Sequence, residues 1–178
     1  KIGHFIDDEI AKKYQKLKNE LDISKKDASP LIEEKINIKK ILKKSAKNWD
    51  GGYAMAGLLG HGDAFVLRDP AGIRPAFYYK DDEVVVVASE RPVIQTVFNV
   101  NIKEVKEIER GCALIIKKNG QISMNKIIEQ LPKKSCLFER IYFSRGSDKD
   151  IYTERKNLGK LVFPQILKKI NNDIKNTV

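Results

Sequence analysis

The chain has 178 residues, 42% hydrophobic and 33% charged, with two cysteines and two histidines. Those proportions suit one domain with a real core, and they argue against a disordered tract, a disulfide framework or a zinc site. The net charge of +10 raises a nucleic-acid surface, but residues 1–49 carry 13 lysines against eight acids, residues 151–178 six basic groups against two acids, and residues 50–150 are close to balanced. The lysines alternate with acids and lack interleaved aromatics, so solvated helix faces are expected and nucleic acid is not. No apolar run approaches the ~20 residues of a membrane span, so no membrane partner is expected.

The opening Lys1-Ile2-Gly3-His4-Phe5 has no apolar leader and no initiator Met. It reads as a chain cut from something longer, in a reducing cytoplasm given Cys112 and Cys136 alone. Residues 5–22 predict a helix, with Ile6, Ile10, Tyr14, Leu17 and Leu21 at spacings of three and four. A second helix is expected to start either at the Ser24/Asp27 capping box or at Ser29-Pro30, and to run to about Trp49 before Asp50-Gly51-Gly52 stops it.

The period then changes to two. Strands are expected at Tyr53–Leu59, Ala64–Arg68, Ala76–Tyr79 and Glu83–Ala88, separated by turns at 60–63, 69–72 and 80–82. The run Val84–Val87 predicts a strand covered on both faces. Ser89 is expected to cap a short helix, Glu90–Phe98. Three further strands follow at Val105–Ile108, Cys112–Lys117 and Ile122–Lys126, with Asn119-Gly120 marking a hairpin. Leu137–Phe143 reads as another strand. Residues 151–175 read as a closing helix, which Pro164 should kink or break.

Generic catalytic motifs are absent: no Walker A loop, no G-x-G-x-x-G, no H-E-x-x-H and no G-x-S-x-G. The acidic pair Asp81-Asp82 has no phosphate-cradling loop after it and reads as a turn. His61, between Gly60 and Gly62, is either a base or a polar turn residue with glycines supplying positive φ. The sharpest polar cluster is Arg68, Asp69 and Arg74 around Pro70 and Gly72. It could bind an anion; it could equally hold its own turn, with Asp69 accepting backbone N–H bonds and the arginines pairing with acids.

These residues carry a resemblance. Gly51-Gly52-Tyr53-Ala54, Gly60-His61-Gly62, Arg68-Asp69-Pro70-Ala71-Gly72-Ile73-Arg74-Pro75 and Val87-Ala88-Ser89-Glu90 resemble, in order and spacing, the amidophosphoribosyltransferases. Cys136-Leu137-Phe138-Glu139-Arg140-Ile141-Tyr142-Phe143-Ser144-Arg145 continues the likeness, and Ile151-Tyr152 with Arg155 and Gly159 closes it. It covers about residues 38–170. Parts of it are shared with other class II glutamine amidotransferases such as asparagine synthetase.

The resemblance implies an α+β fold, part of an N-terminal nucleophile hydrolase with mainly antiparallel sheets layered with helices. It implies a division into residues 1–49 (a Lys-rich lineage insertion plus one helix of the glutaminase domain), 50–150 (the β-rich second half of that domain) and 151–178 (a helix leading toward a phosphoribosyltransferase domain). The family's glutaminase uses an N-terminal Cys as nucleophile with its own amino group as base. Cys112 and Cys136 are internal, so no catalytic residue is expected in this chain. The nucleophile, oxyanion donors and glutamine ligands are expected upstream, and the chain alone is expected to be inactive.

Arg68, Asp69, Pro70, Gly72, Arg74, Pro75, Ser89 and Glu90 are then family signature residues with structural roles, and Tyr152 is a candidate for the ammonia path. Cys136 matches a position that ligates a 4Fe–4S cluster in some members. No cofactor is expected within the chain; the whole enzyme would use Mg2+ with phosphoribosyl pyrophosphate. Expected partners are the first glutaminase half, the transferase domain and further copies of the chain. Arg145-Gly146-Ser147-Asp148 and Arg110-Gly111-Cys112 depart from the family's commoner Arg-Pro-Asp-Ser and Pro-Gly-Glu. The alternatives are a stand-alone, non-catalytic basic module and a different class II amidotransferase.

Overall fold

The computed structural model describes residues 2–177, which group into two compact units interleaved along the chain. One unit takes the residues up to Ala76 together with Glu107–Lys134; the other takes Phe77–Lys106 and the residues from Ser135 onward.

In the first unit three helices cover a sheet. Helix α1 (Ile2–Leu21) is longer at its start than the apolar spacing predicts. Helix α2 (Lys25–Lys35) uses the Ser24 option: its hydroxyl accepts the Asp27 N–H at 3.3 Å and donates to the Asp27 carboxylate at 2.6 Å. The helix expected to continue to Trp49 is instead broken after Lys35. Ile36 turns extended and is buried, and Asn37 caps a new helix, α3 (Ile38–Ser45), by accepting the Lys40 N–H at 2.9 Å. An Asn side chain that can satisfy a free helix N–H makes a restart there cheap. One short 3-10 turn, Ala46–Asn48, leads out of α3.

Strands β1 (Ala54–Leu58), β2 (Ala64–Arg68), β6 (Cys112–Ile116) and β7 (Ile122–Lys126) form an antiparallel sheet in the order β1-β2-β6-β7. β1 alternates exposed and half-buried residues as an edge strand should, whereas the central β2 and β6 are buried almost throughout. Phe65, Leu67, Ala113 and Ile115 from the sheet share one core with Leu17, Ala28, Ile32, Ile36, Ile41 and Leu42 from the helices. The Lys-rich segment 1–37 therefore contributes core residues as well as a charged surface. The Asn119-Gly120 hairpin forms as its sequence predicts: Gly120 sits at φ +82°, and Lys117 N–H donates to the Gln121 carbonyl at 2.8 Å.

In the second unit, β3 (Phe77–Lys80) pairs antiparallel with β4 (Val85–Ala88); β5 (Lys106–Glu107), only two residues long, falls where the chain passes from this unit back to the first. β4 is half-buried along its length and Val84 is exposed outside it, so the strand fully covered on both faces is not found. Helix α4 (Arg91–Phe98) packs on β3 and β4. Its cap is Glu90, not Ser89, and no side chain bonds there, because Pro92 in the first turn already lacks an N–H to satisfy.

Leu137–Phe143 is helical, not a strand, and Glu139–Phe143 forms a π-turn closed by Ser144 N–H on the Glu139 carbonyl at 2.7 Å. Its apolar residues, Leu137/Ile141 and Phe138/Tyr142, also stand four apart, a spacing that fits a helix as well as a strand. Helix α5 (Lys149–Lys169) runs unbroken through Pro164; the carbonyl freed by the missing N–H lies on an exposed stretch where water can serve it. The architecture is α+β. No helix among the described residues is long and apolar enough to cross a membrane.

Candidate functional site

The polar cluster at the end of β2 is a turn that binds itself. Asp69 is fully buried, and its Oδ1 accepts the N–H groups of Ala71 (3.1 Å) and Ile73 (2.9 Å) while Oδ2 accepts that of Arg74 (3.0 Å). The Asp69 carbonyl accepts Gly72 and Gly111 N–H, and its own N–H donates to the Tyr53 carbonyl at 2.8 Å. Gly72 sits at φ +67°, where a Cβ would also meet the Arg110 side chain at 2.7 Å.

Arg68 spends its guanidinium on three carbonyls: Arg74 (2.8 Å), Ile108 (2.8 Å) and Gly72 (3.2 Å). It also pairs with Glu107 at 2.7 Å. Beside it lies a cavity of about 270 Å³ lined by Glu107, Glu109, Arg110, Gln130 and Lys133, but Arg110 is likewise engaged, donating to the Leu131 carbonyl at 2.7 Å. These donors already serve backbone and carboxylate, so the arrangement suits holding a turn better than seizing an anion. Arg68, Asp69, Pro70, Gly72, Arg74 and Pro75 share this one turn; Ser89 and Glu90 lie in the other unit.

His61 belongs to a second staple of the first unit. Its Nε2 lies 3.1 Å from Asp63 Oδ2, at an angle too oblique for a hydrogen bond. Asp63, itself buried, also takes the Lys117 ammonium and the Lys118 N–H (2.9 Å). Burial pushes the Asp63 carboxyl up, but the Lys117, Lys118 and His61 contacts outweigh it and hold the group below the usual carboxylate range. Gly62 supplies a positive φ of +105°, whereas Gly60 does not. The staple joins the β1–β2 and β6–β7 turns. A cavity of about 730 Å³ beside it is lined by Glu33, Glu34, Lys117 and Lys118 among others.

In the second unit the sequence signals did not single out the strongest cluster. Arg91 forks onto Asp148, Nε to Oδ2 at 2.9 Å and Nη2 to Oδ1 at 2.7 Å, and reaches Asp150 at 2.6 Å. Glu90 accepts the Arg145 N–H at 3.0 Å. The available signal was Asp148 standing as an N-cap before an apolar-periodic helix. Its partner, 57 residues away, had none. Tyr152 is exposed on the first turn of α5, with the Lys156 ammonium 5.6 Å from its ring centre.

The Cys112 thiol is not poised for nucleophilic attack. Burial, and then the neighbouring Glu109 carboxylate, raise the Cys112 pKa, whereas an activated thiol is lowered. Cys136 is half-buried. A 4Fe–4S cluster takes four ligands, commonly all Cys. With Cys112 buried on β6, this chain could offer Cys136 as one ligand at most. Among the described residues no group of three or more His, Cys, Asp or Glu gathers to hold a metal ion.

No family model matches the chain. Among characterised proteins it is similar to the amidophosphoribosyltransferase of Rhizobium etli, 31% identical over 121 residues, which are 64% of this chain and 24% of that protein. The Escherichia coli amidophosphoribosyltransferase is 33% identical over 61% of this chain and 23% of its own length. Among solved structures, the glutamine phosphoribosylpyrophosphate amidotransferase of Bacillus subtilis, complexed with ADP and GMP, aligns with a TM-score of 0.57. It is 28% identical and is matched over 85% of this chain and 35% of that one. The chain thus spans about a quarter of the length of the curated relatives it matches. By sequence and by fold alike, it is similar to a segment of the amidophosphoribosyltransferases.

Proposed function

We propose that this chain works as the second half of the glutaminase domain within a longer amidophosphoribosyltransferase. The whole enzyme would convert glutamine and phosphoribosyl pyrophosphate to phosphoribosylamine in purine synthesis. One observation carries the reading: the likeness takes in 64% of this chain but only 24% of the relative. The residues agree with a supporting role. The signature turn at Asp69 is satisfied internally, and Cys112 is buried with a raised pKa.

The second unit exposes Leu137, Phe138, Tyr142, Leu161 and Phe163, an apolar set that a larger protein or a further copy of the chain would cover. In the whole enzyme the nucleophilic Cys, the oxyanion donors and the glutamine ligands would come from the preceding half, and Mg2+ with phosphoribosyl pyrophosphate would bind in the transferase domain. Cys136 would be a cluster ligand only if that domain supplied the others. Tyr152 would line the path taken by ammonia.

The test is glutamate release from glutamine by the chain alone, and then mixed with a polypeptide carrying the preceding half and its free N-terminal Cys. Activity in the mixture alone supports the reading. Activity of the chain by itself refutes it, because the reading places the nucleophile in the preceding half.

A further inference from the structure

The first turn of α5 is held by one buried apolar residue and a set of polar contacts. Ile151 is the sole buried residue of that helix, and most of its side chains beyond Tyr152 are exposed. Asp148 caps it, accepting the N–H groups of Asp150 (2.9 Å) and Ile151 (3.3 Å), and the Asp148 carbonyl accepts the Tyr152 N–H at 2.8 Å. The Tyr152 backbone therefore hangs directly on Asp148.

Asp148 is in turn fixed by Arg91, the first residue of α4, whose guanidinium takes both carboxylate oxygens and the Asp150 carboxylate besides. The same guanidinium lies over the ring of Phe77 on β3, 5.3 Å from its centre. The preceding residue, Glu90, grips the Arg145 N–H. Two consecutive residues at the start of α4 thus clamp the segment that launches α5. Lower on the helix, Arg155 donates to the Arg140 (3.2 Å) and Ser144 (2.7 Å) carbonyls, and Arg140 pairs with Glu154. Those bonds secure the helix to the π-turn, and its first turn rests on the buried Ile151 and on the Arg91 contacts.

We propose that Arg91 is a positioning residue: through Asp148 and Asp150 it sets the first turn of α5, and with it the place of Tyr152 on the ammonia path. The role given to Tyr152 rests on the function proposed above; the clamp itself does not. An Arg is needed because a planar fork reaches two carboxylate oxygens and a third acceptor together, whereas a Lys offers one point charge. In the folded chain the Arg91 Nε and Nη2 donors are both spent on carboxylates.

The first arm of the test is amide hydrogen exchange on this 178-residue chain. Arg91→Lys should speed exchange of the Asp150–Thr153 amides by about tenfold, the loss expected when a charge-assisted bond goes, while the β2 and β6 amides stay unchanged. Asp150→Asn, which keeps the Arg91–Asp148 fork, should show a smaller effect and guards against a misfolded Arg91 variant. Unchanged exchange at 150–153 in both variants overturns the clamp.

The second arm places Arg91→Lys in the longer enzyme and reads glutamine hydrolysed per phosphoribosylamine formed. A positioning role raises that ratio several-fold, with KM for glutamine within about twofold of wild type. A parallel fall of both rates means Arg91 is structural only and overturns the positioning role. If the wild-type longer protein makes no phosphoribosylamine, the functional reading fails, and the exchange arm alone decides whether Arg91 fixes α5.

Discussion

Asp69→Ala should unfold the first unit at distinctly lower denaturant. The substitution removes the acceptor from three backbone N–H groups, those of Ala71, Ile73 and Arg74. A hydrogen bond to a charged group is worth roughly 1.5–3 kcal/mol, and a buried donor left unpaired costs about 1–3 kcal/mol. The Ala71 bond is buried, while the other two are partly buried and open to replacement by water. Counting about 2 kcal/mol for the first and about 1 kcal/mol for each of the others gives a loss near 4 kcal/mol. Asp69→Asn keeps Oδ1 and its two bonds but sets an amide NH2 against the Arg74 N–H, so its loss should be about 1–2 kcal/mol.

The assay is urea unfolding followed by fluorescence of Trp49, the chain's single tryptophan. Trp49 packs edge-on against Tyr53 at 5.5 Å, and the Tyr53 carbonyl holds the Asp69 N–H, so the probe reports the unit that contains the turn. A loss under about 1 kcal/mol for Asp69→Ala, or equal losses for Ala and Asn, would refute the argument that the carboxylate organises this turn.

Four other outcomes follow from the same geometry. The Asp63 carboxyl is held below its ordinary range, so its contribution to stability is complete above the unfolded carboxylate pKa of about 4 and is lost as pH falls through the lower folded value. Asp63→Asn should therefore flatten the acid limb of the Trp49 unfolding midpoint between about pH 5 and about pH 3; an unchanged acid limb would count against the staple. A thiol reagent on the native chain should label Cys136 promptly and Cys112 only on unfolding, and equal rates would contradict the buried placement of Cys112. Gly57→Ala puts a Cβ 2.5 Å from the Phe65 ring on the neighbouring strand and should cost about 1–3 kcal/mol in the same urea assay; no measurable loss would mean the ring has room to move. Tyr142→Lys with Leu161→Lys should reduce self-association in sedimentation velocity, since the parent side chains are 77% and 72% exposed; unchanged sedimentation would mean that this face does not drive association.

What the sequence announced and what it hid divide by the range of the interaction. The Asp69 turn was legible because the bonds of its own carboxylate lie within six residues: an acid to accept N–H groups, a Pro to set φ and a Gly to take φ +67°; its contacts to Tyr53, Ile108 and Gly111 were not. The Asn119-Gly120 hairpin is equally local and formed as read, and of the two helix starts the sequence left open the Ser24 cap is the one found. The misreadings arose where one local pattern fits two outcomes. Leu137–Phe143 carries apolar residues that suit either period, and the chain settled into a π-turn, where Arg155 binds the Arg140 and Ser144 carbonyls. The break at Ile36-Asn37 is a similar case, since burying Ile36 in the shared core outweighs continuing the helix.

The contacts that organise the candidate sites were hidden for a different reason. Asp63 meets Lys117 across 54 positions and Arg91 meets Asp148 across 57, and nothing in either residue's neighbourhood names its partner. Family likeness could not supply Arg91 either, because the resemblance ran through Ala88-Ser89-Glu90 and stopped one residue short of it. Yet the departure at 145–148 places its Asp at position 148, where it caps α5 and receives Arg91. A departure from the family's commoner motif is, in the folded chain, one half of a bidentate ion pair.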